Sequence, residues 1–282
     1  MPRKPQHASE YRPEYVEQVR ATCLYVATKL GDVMDEIVVI GGLVPSLLIH
    51  LEELPPGTPG HVGTTDLDVG LTLALLEAGR YRGLTGRLRD AGFTPDSNEE
   101  GRLTRQRWRL RSAGEATIDF LIPPSTDADQ GGTIRSIESD FAAIIAPGLA
   151  LAFEDRDRVR LDGRTILGER ATRGVWVCGP GAFVVLKALA FDLRGENKDA
   201  YDLFYMIRNY GKSVKDVVAR LRPLLTAEPA CRALVILRRD FQAIDGVGPR
   251  RVADFLLGAP DDAIQADVVG FVGRLLDGCA TT

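Results

Sequence analysis

Asp66 and Asp68 stand one residue apart in the run Thr64-Thr65-Asp66-Leu67-Asp68-Val69. In an extended chain, residues i and i+2 point to one face, so the two carboxylates project together while Leu67 and Val69 pack on the other side. Like charges at that separation repel, and a divalent cation removes the repulsion. Mg²⁺ or Mn²⁺ would take these hard oxygen ligands and keep open positions for phosphate oxygens. Asp119 lies in Thr117-Ile118-Asp119-Phe120-Leu121-Ile122, and an acid inside an apolar strand needs a partner. A neighbouring strand would bring it to the same centre. Three carboxylates, Asp66, Asp68 and Asp119, could then hold two ions, one activating a hydroxyl and one neutralising a leaving pyrophosphate. Asp119 is the natural general base of that arrangement.

The groups that would hold the phosphates lie on either side. Gly41-Gly42 sits between a β-branched run and a helical one, where small residues let backbone N–H groups approach a phosphate. Thr64 and Thr65 offer hydroxyl donors. Lys187 interrupts the apolar run Phe183–Leu193 and either snorkels to water or points at an anion. The second reading is preferred, with Asp199 or Asp202 orienting it and with Arg194 and Lys198 close by. Lys198 and Asp202, four apart, read most simply as a surface helix pair. Arg105, Arg107, Arg109 and Arg111 alternate along one predicted strand and so share a face, either a solvated one or a positive strip for a nucleotide or an RNA backbone.

Several elements must position these groups. A helix is expected over 14–30, closed by Gly31, a buried strand over 37–40, and a helix over 44–51 with Pro45 in its first turn. A strand follows over 66–73 and a glycine-weakened helix over 75–91. Segments 102–111 and 117–122 read as a hairpin around Ser112-Ala113-Gly114. Short strands with turns at Asp155 and Asp162-Gly163 are expected over 149–177. Helices are then expected over 183–193, 201–208, 214–225 and 232–241. The order predicts an α/β (α+β) core with a mixed sheet over residues 1–175 and an α-helical C-terminal lobe over 176–282.

Composition sets the outer bounds. The 282 residues are 45% hydrophobic and 26% charged, with a formal net charge of −4, so a nucleic-acid-coating surface is excluded while a local basic groove is not. The four cysteines, Cys23, Cys178, Cys231 and Cys279, have neither zinc-ligand nor disulfide-framework spacing. The basic, polar start lacks the apolar stretch of a secretory signal, and no apolar run is long enough for a bilayer. The expectation is a soluble, cytoplasmic protein with no membrane partner.

The runs IVVIGGLVPSLLIH, TTDLDVGL and TIDFLIP, followed by VVLKALAFDLRGENKDAYDLFYM, resemble the AbiEii-type nucleotidyltransferases of the DNA polymerase β superfamily. That family includes the MenT-like toxins of toxin–antitoxin and abortive-infection systems. The resemblance covers roughly residues 35 to 210 in order. It implies a polymerase-β-like nucleotidyltransferase core with a helical C-terminal lobe. The family's Gly-Gly/Ser and DxD elements fall on Gly41, Gly42, Asp66 and Asp68, its hydroxyl residue on Thr64, and its helix lysine on Lys187. Its basic-Asp-x-x-Asp-Leu element falls on Lys198, Asp199, Asp202 and Leu203. The interval from Gly42 to Asp66, with Pro55-Pro56-Gly57 inside it, is longer than is usual for the family.

The activity so implied is transfer of NMP from an NTP to an RNA acceptor, such as a tRNA 3′ end, by a toxin restrained by an antitoxin. Nucleotidylation of a small molecule or a protein hydroxyl is the alternative, mildly favoured by the acidic charge. A catalytically silent nucleotide- or partner-binding protein is a third reading. Ile244–Ala253 also resembles a helix-hairpin-helix element, in which Arg250 and Arg251 would join Arg105, Arg107 and Arg109 in contacting RNA. An ordinary interhelical turn with glycine at a helix end is the plainer account of that stretch.

Overall fold

The computed structural model describes residues 5–76, 80–98, 100–113 and 116–280. The chain divides into two compact units, one built from Pro13–Val44 and Gly63–Cys178, the other taking residues 5–12, Pro45–Val62 and the chain from Gly179 onward. The expected division near residue 175 assigned 5–12 and 45–62 to the first unit, whereas both segments pack with the second.

The first unit begins with helix α1 (Pro13–Leu30) and strand β1 (Ile37–Ile40); the short helix α2 (Val44–Leu48) follows across the division. Strand β2 (Leu67–Leu71) and helices α3 (Leu73–Leu76) and α4 (Tyr81–Asp90) come next. The helix expected over 75–91 is therefore two pieces, and residues 77–79 with Gly79 lie outside the described residues, as does Gly114 in the expected hairpin turn. Strands β3 (Phe93–Ser97), β4 (Leu103–Leu110), β5 (Thr117–Ile122), β6 (Ile134–Ser136) and β7 (Ala142–Ile145) lead to the one-turn helix α5 (Leu151–Glu154). Two nine-residue strands, β8 (Arg156–Arg164) and β9 (Arg170–Cys178), close the unit. The turn expected at Asp162-Gly163 is instead part of β8. The pair runs unbroken to Arg164↔Arg170, and the chain reverses through Thr165–Glu169, where Thr165 and Gly168 carry the turn hydrogen bonds.

Among the described residues the nine strands form one mixed sheet in the order β3-β4-β5-β2-β1-β9-β8, with β6–β7 attached to the far end of β5. Parallel pairs (β2 with β5, β1 with β9, β5 with β7) are set among antiparallel ones. This is a mixed α+β architecture, as the order of periodic segments implied. Trp108, Phe120 and Phe141 meet edge-to-face at the core, with ring centroids 5.2–6.2 Å apart.

The second unit is helical. Its elements are α6 (Pro180–Arg194), α7 (Asn197–Asn209), α8 (Val214–Leu221), α9 (Glu228–Phe241), α10 (Val247–Leu257) and α11 (Asp262–Ala280). Helix α6 opens with Pro180 in its first turn and stops at Gly195, whose φ of 65° is a left-handed cap. It packs against α7, α8 and α9, and the approach to α8 demands glycine: a Cβ on Gly181 would lie 2.6 Å from the Arg220 carbonyl. The last two helices fall within the lobe expected to be helical, although their individual bounds were not given by the sequence. Among the described residues no helix is long and apolar enough to cross a membrane.

The aromatic cluster gives a direct test of the first unit's core. Phe120 is fully buried, so Phe120→Ala should lower unfolding free energy by about 3–5 kcal/mol, read from urea denaturation midpoints.

Candidate functional site

Three strands set the acidic residues side by side. The parallel register of β2 and β5 puts Asp68 opposite Asp119, and the antiparallel register of β4 and β5 puts Arg107 opposite Asp119. Directly paired residues share a face of a sheet, so Arg107, Asp119 and Asp68 form one row across three strands. The next partner of Asp68 is Ile40 in β1, the residue before Gly41-Gly42. Asp66 sits one position before β2 rather than within it.

Arg107 is the counter-charge of this row. Its Nε and Nη2 donate to the two oxygens of Asp119 at 2.6 and 2.5 Å, and Nη2 lies 3.3 Å from Asp66. The hydrogen bond to Asp119 holds the guanidinium well above its ordinary pKa, with the charges of Asp119, Asp66 and Asp68 adding to the effect. Three carboxylates therefore surround one resident cation. Thr117 on β5 donates to Asp66 at 3.2 Å, a contact with no local signature in the sequence. Thr64 is buried and bonds weakly with the backbone of Asp66, so its hydroxyl faces its own loop.

The two glycines are held by the chain itself. Gly41 has a φ of +72°, and a Cβ built there would fall 1.9 Å from Asp68 Oδ2. The backbone at Gly41 is therefore pressed against the Asp68 carboxylate, and glycine is required for both reasons. Gly42 is buried in the short 3-10 turn Gly41–Leu43 that leads into α2.

Among the described residues no group of three or more His, Cys, Asp or Glu side chains is placed to hold a metal ion. Both oxygens of Asp119 accept from Arg107. Asp66 and Asp68 remain as two hard-oxygen donors. This fits the way Mg²⁺ is held by one or two carboxylates with the rest of its shell left to water and phosphate.

The arginine strip is also corrected. Pro95 and Asp96, consecutive in β3, face Trp108 and Thr104 respectively, so β4 bulges between them, and the alternation that would align Arg105 with Arg107 is broken. Arg107 belongs to Asp119, and Arg109 pairs with Asp96 at 2.9 Å. Arg111 lies past the strand end and donates to Thr94.

The second unit holds its own charged cluster, between α6 and α7. Lys187 lies 2.9 Å from Asp199 and 2.7 Å from Asp202. Arg194 donates twice to Asp199, and Lys198 reaches Asp202 at 2.5 Å. The Lys198–Asp202 pair is buried, with side chains 12% and 0% exposed, which overturns its reading as a surface helix pair. Burial acts against the Lys187 ammonium, but Asp202 and Asp199 outweigh it and raise its pKa. Burial brings Lys198 down to about 8, against the pull of Asp202.

His61 completes the cluster and was not foreseen. Its Nε2 lies 2.8 Å from Asp202 Oδ1, and its ring stacks on Tyr201 and meets Tyr205 edge-on. Burial, with Lys198 adding, brings its pKa down to about 4. The ring is therefore neutral at pH 7 and, in the tautomer that suits a carboxylate partner, donates through Nε2. A lone histidine in a Pro/Gly-rich segment gave no signal of this, because the contact spans 141 positions. Three cations face two carboxylates here, leaving one net positive charge.

The expected helix-hairpin-helix is a structural turn. Gly248 is buried, and a Cβ there would lie 2.4 Å from the Phe241 ring. Gly246 caps α10, and its N–H is taken by the Ala243 carbonyl. Arg251 donates to Asn197, and Arg250 is exposed. Of the thiols, Cys23 and Cys178 are buried and Cys231 is exposed. Burial pushes Cys23 up to about 12, which makes it unreactive. No family model matches the chain, and no curated protein matches it.

Two variants probe the two clusters. Gly41→Ala should lower stability by about 1–3 kcal/mol through backbone strain and displace Asp68, as read from urea midpoints. His61 contributes stability that is present above pH 6.5 and lost as pH falls towards 4, because its folded pKa is depressed. His61→Asn should narrow the stability difference between pH 7 and pH 4.5 by roughly 2–3 kcal/mol; an unchanged difference would contradict the buried neutral imidazole.

Proposed function

We propose that the chain is a metal-dependent nucleotidyltransferase that moves NMP from an NTP to an RNA acceptor such as a tRNA 3′ end, on a polymerase-β-like core. The observation that carries this reading is the row of Asp68, Asp119 and Arg107 across adjacent strands, with Asp66 and Gly41 against it. The resemblance of 35–210 to the AbiEii-type toxins supports it, and brings with it the expectation of a cognate antitoxin.

Asp66 and Asp68 would hold Mg²⁺ or Mn²⁺ together with phosphate oxygens of the NTP. When bound, that ion supplies charge neutralisation at the triphosphate and acidifies the attacking hydroxyl. The chain's own part is positioning. Arg107 fixes Asp119 through two hydrogen bonds and also lies beside Asp66, and Thr117 holds one Asp66 oxygen in place. Arg107 thereby balances the charge of the row. In the second unit the net positive Lys187–Lys198–Arg194 cluster supports binding of an anionic group, with Asp199 and Asp202 setting the lysine positions.

The net charge of −4 favours, as a second reading, an acceptor hydroxyl on a small molecule or a protein. Incubation with α-labelled NTPs and Mg²⁺ or Mn²⁺, in parallel with total RNA, protein extract and small-molecule fractions, separates the two by where label appears. Asp66→Asn and Asp68→Asn should each reduce transfer at least about a hundredfold while leaving the thermal midpoint within a few degrees. Undiminished transfer in both variants would refute the site, and nucleotide binding with no labelled product in any fraction would revive the silent binding protein.

A further inference from the structure

The β8–β9 hairpin carries a charge pattern that neither the carboxylate row nor the helical cluster uses. Residues of even number on β8 share a face with their partners on β9, through the pairs Arg158↔Trp176, Arg160↔Gly174 and Arg164↔Arg170. That face presents Arg156, Arg158, Arg160, Arg164 and Arg170 around Trp176. The opposite face buries Leu161, Val175 and Val177, and α1 packs against both strands. The acids on the arginine face are Asp162, bonded to Thr172, and Asp35, paired with Arg158 at 2.9 Å. Five cations against two acids is a strong local excess in a chain whose total is −4.

The side chains are placed to engage a ligand. Arg158, Arg160, Arg164 and Arg170 are exposed, and among the described residues Arg160, Arg164 and Arg170 make no ion pair. Trp176 is half-buried, with the guanidinium groups of Arg156 and Arg158 at 4.2 and 5.1 Å from its ring centroid. Gly174 beside it keeps the surface low: a Cβ there would lie 2.7 Å from Arg158 Nε. Arginines at i, i+2 and i+4 repeat every ~6.6 Å along a strand, a spacing suited to successive phosphates. Guanidinium forks match phosphate oxygens bidentately, and an indole between them is a stacking surface for an unpaired base.

We infer that this face binds the phosphodiester backbone of single-stranded RNA, with one base stacked on Trp176. The charge and the aromatic platform carry the inference; the choice of RNA over DNA rests on the proposed acceptor. An acidic protein would satisfy the charge but gains nothing from a flat indole between arginines.

The test is fluorescence anisotropy of a labelled single-stranded RNA against the full chain, without NTP, across a salt series. The triple variant Arg160→Glu/Arg164→Glu/Arg170→Glu should keep its thermal midpoint and lose at least tenfold in affinity. Its slope of log affinity on log salt should flatten by about 2, at ~0.7 for each phosphate that is no longer neutralised. Trp176→Leu should weaken binding about fivefold with the slope unchanged, since stacking releases no counterions. Unchanged affinity and slope in the triple variant, tighter binding of single-stranded DNA of the same length, or equal competition by polyglutamate of matched charge would each overturn the inference. Transfer of labelled NMP is scored separately with Asp68→Asn. RNA binding without transfer refutes the enzyme and keeps the face; transfer with binding indifferent to the triple variant does the reverse.

Discussion

A carboxylate in the middle of a sheet has to be answered by a positive charge, and the first unit is arranged around that requirement. Asp68 and Asp119 are neighbours by register, and Asp66 is one step away. In water two such charges a few ångströms apart repel by about 1 kcal/mol, and several times more at the lower effective dielectric of a partly buried site. Arg107 on the adjoining strand meets that need in the folded chain. The consequence is a row in which Asp119 is held at both oxygens, while Asp66 takes one hydrogen bond from Thr117 and one contact from Arg107.

The helical unit solves a related problem differently. Lys187, Asp199, Asp202 and Lys198 are all buried or nearly so, and removing four charges from water is expensive unless each finds an opposite charge. The cluster does this by sharing: Asp199 serves Lys187 and Arg194, and Asp202 serves Lys187, Lys198 and His61. Such a network fixes α6 and α7 in one register, because sliding either helix by a residue would strand a charge. It adds little to stability compared with an apolar packing of equal volume, while removing any one member would leave an opposite charge buried and unpaired.

Much of this was legible in the sequence because the signals were local. The β-branched run at Ile37–Ile40, the i,i+2 acids and the apolar strand around Asp119 gave three adjacent strands before their register was known. The apolar spacing of 183–193 placed α6 correctly to within three residues. What was not legible depended on partners far away in the chain. Nothing near Arg107 says that it will face Asp119, and nothing near His61 says that it will meet Asp202. Gly41 looked like a phosphate-loop residue because glycine tolerates close approach, yet the group that approaches is Asp68. Strand β3 was missed because Pro95 lies within it, and the tight seat of Gly248 against Phe241 depends on a ring that the local run does not reveal.

The sheet ends in the edge strands β3 and β8, and both carry features that discourage the addition of a further strand. An unpaired strand edge offers a ladder of donors and acceptors to any other extended peptide. At one end β3 carries Pro95, which withholds an amide, and the bulge opposite it distorts the strand that follows. At the other end β8 bears an arginine at almost every second position, so a second copy arriving edge-on would bring its own like charges into contact. The arginines that mark the face of the hairpin therefore also place like charges where a second copy of β8 would have to lie along its free edge.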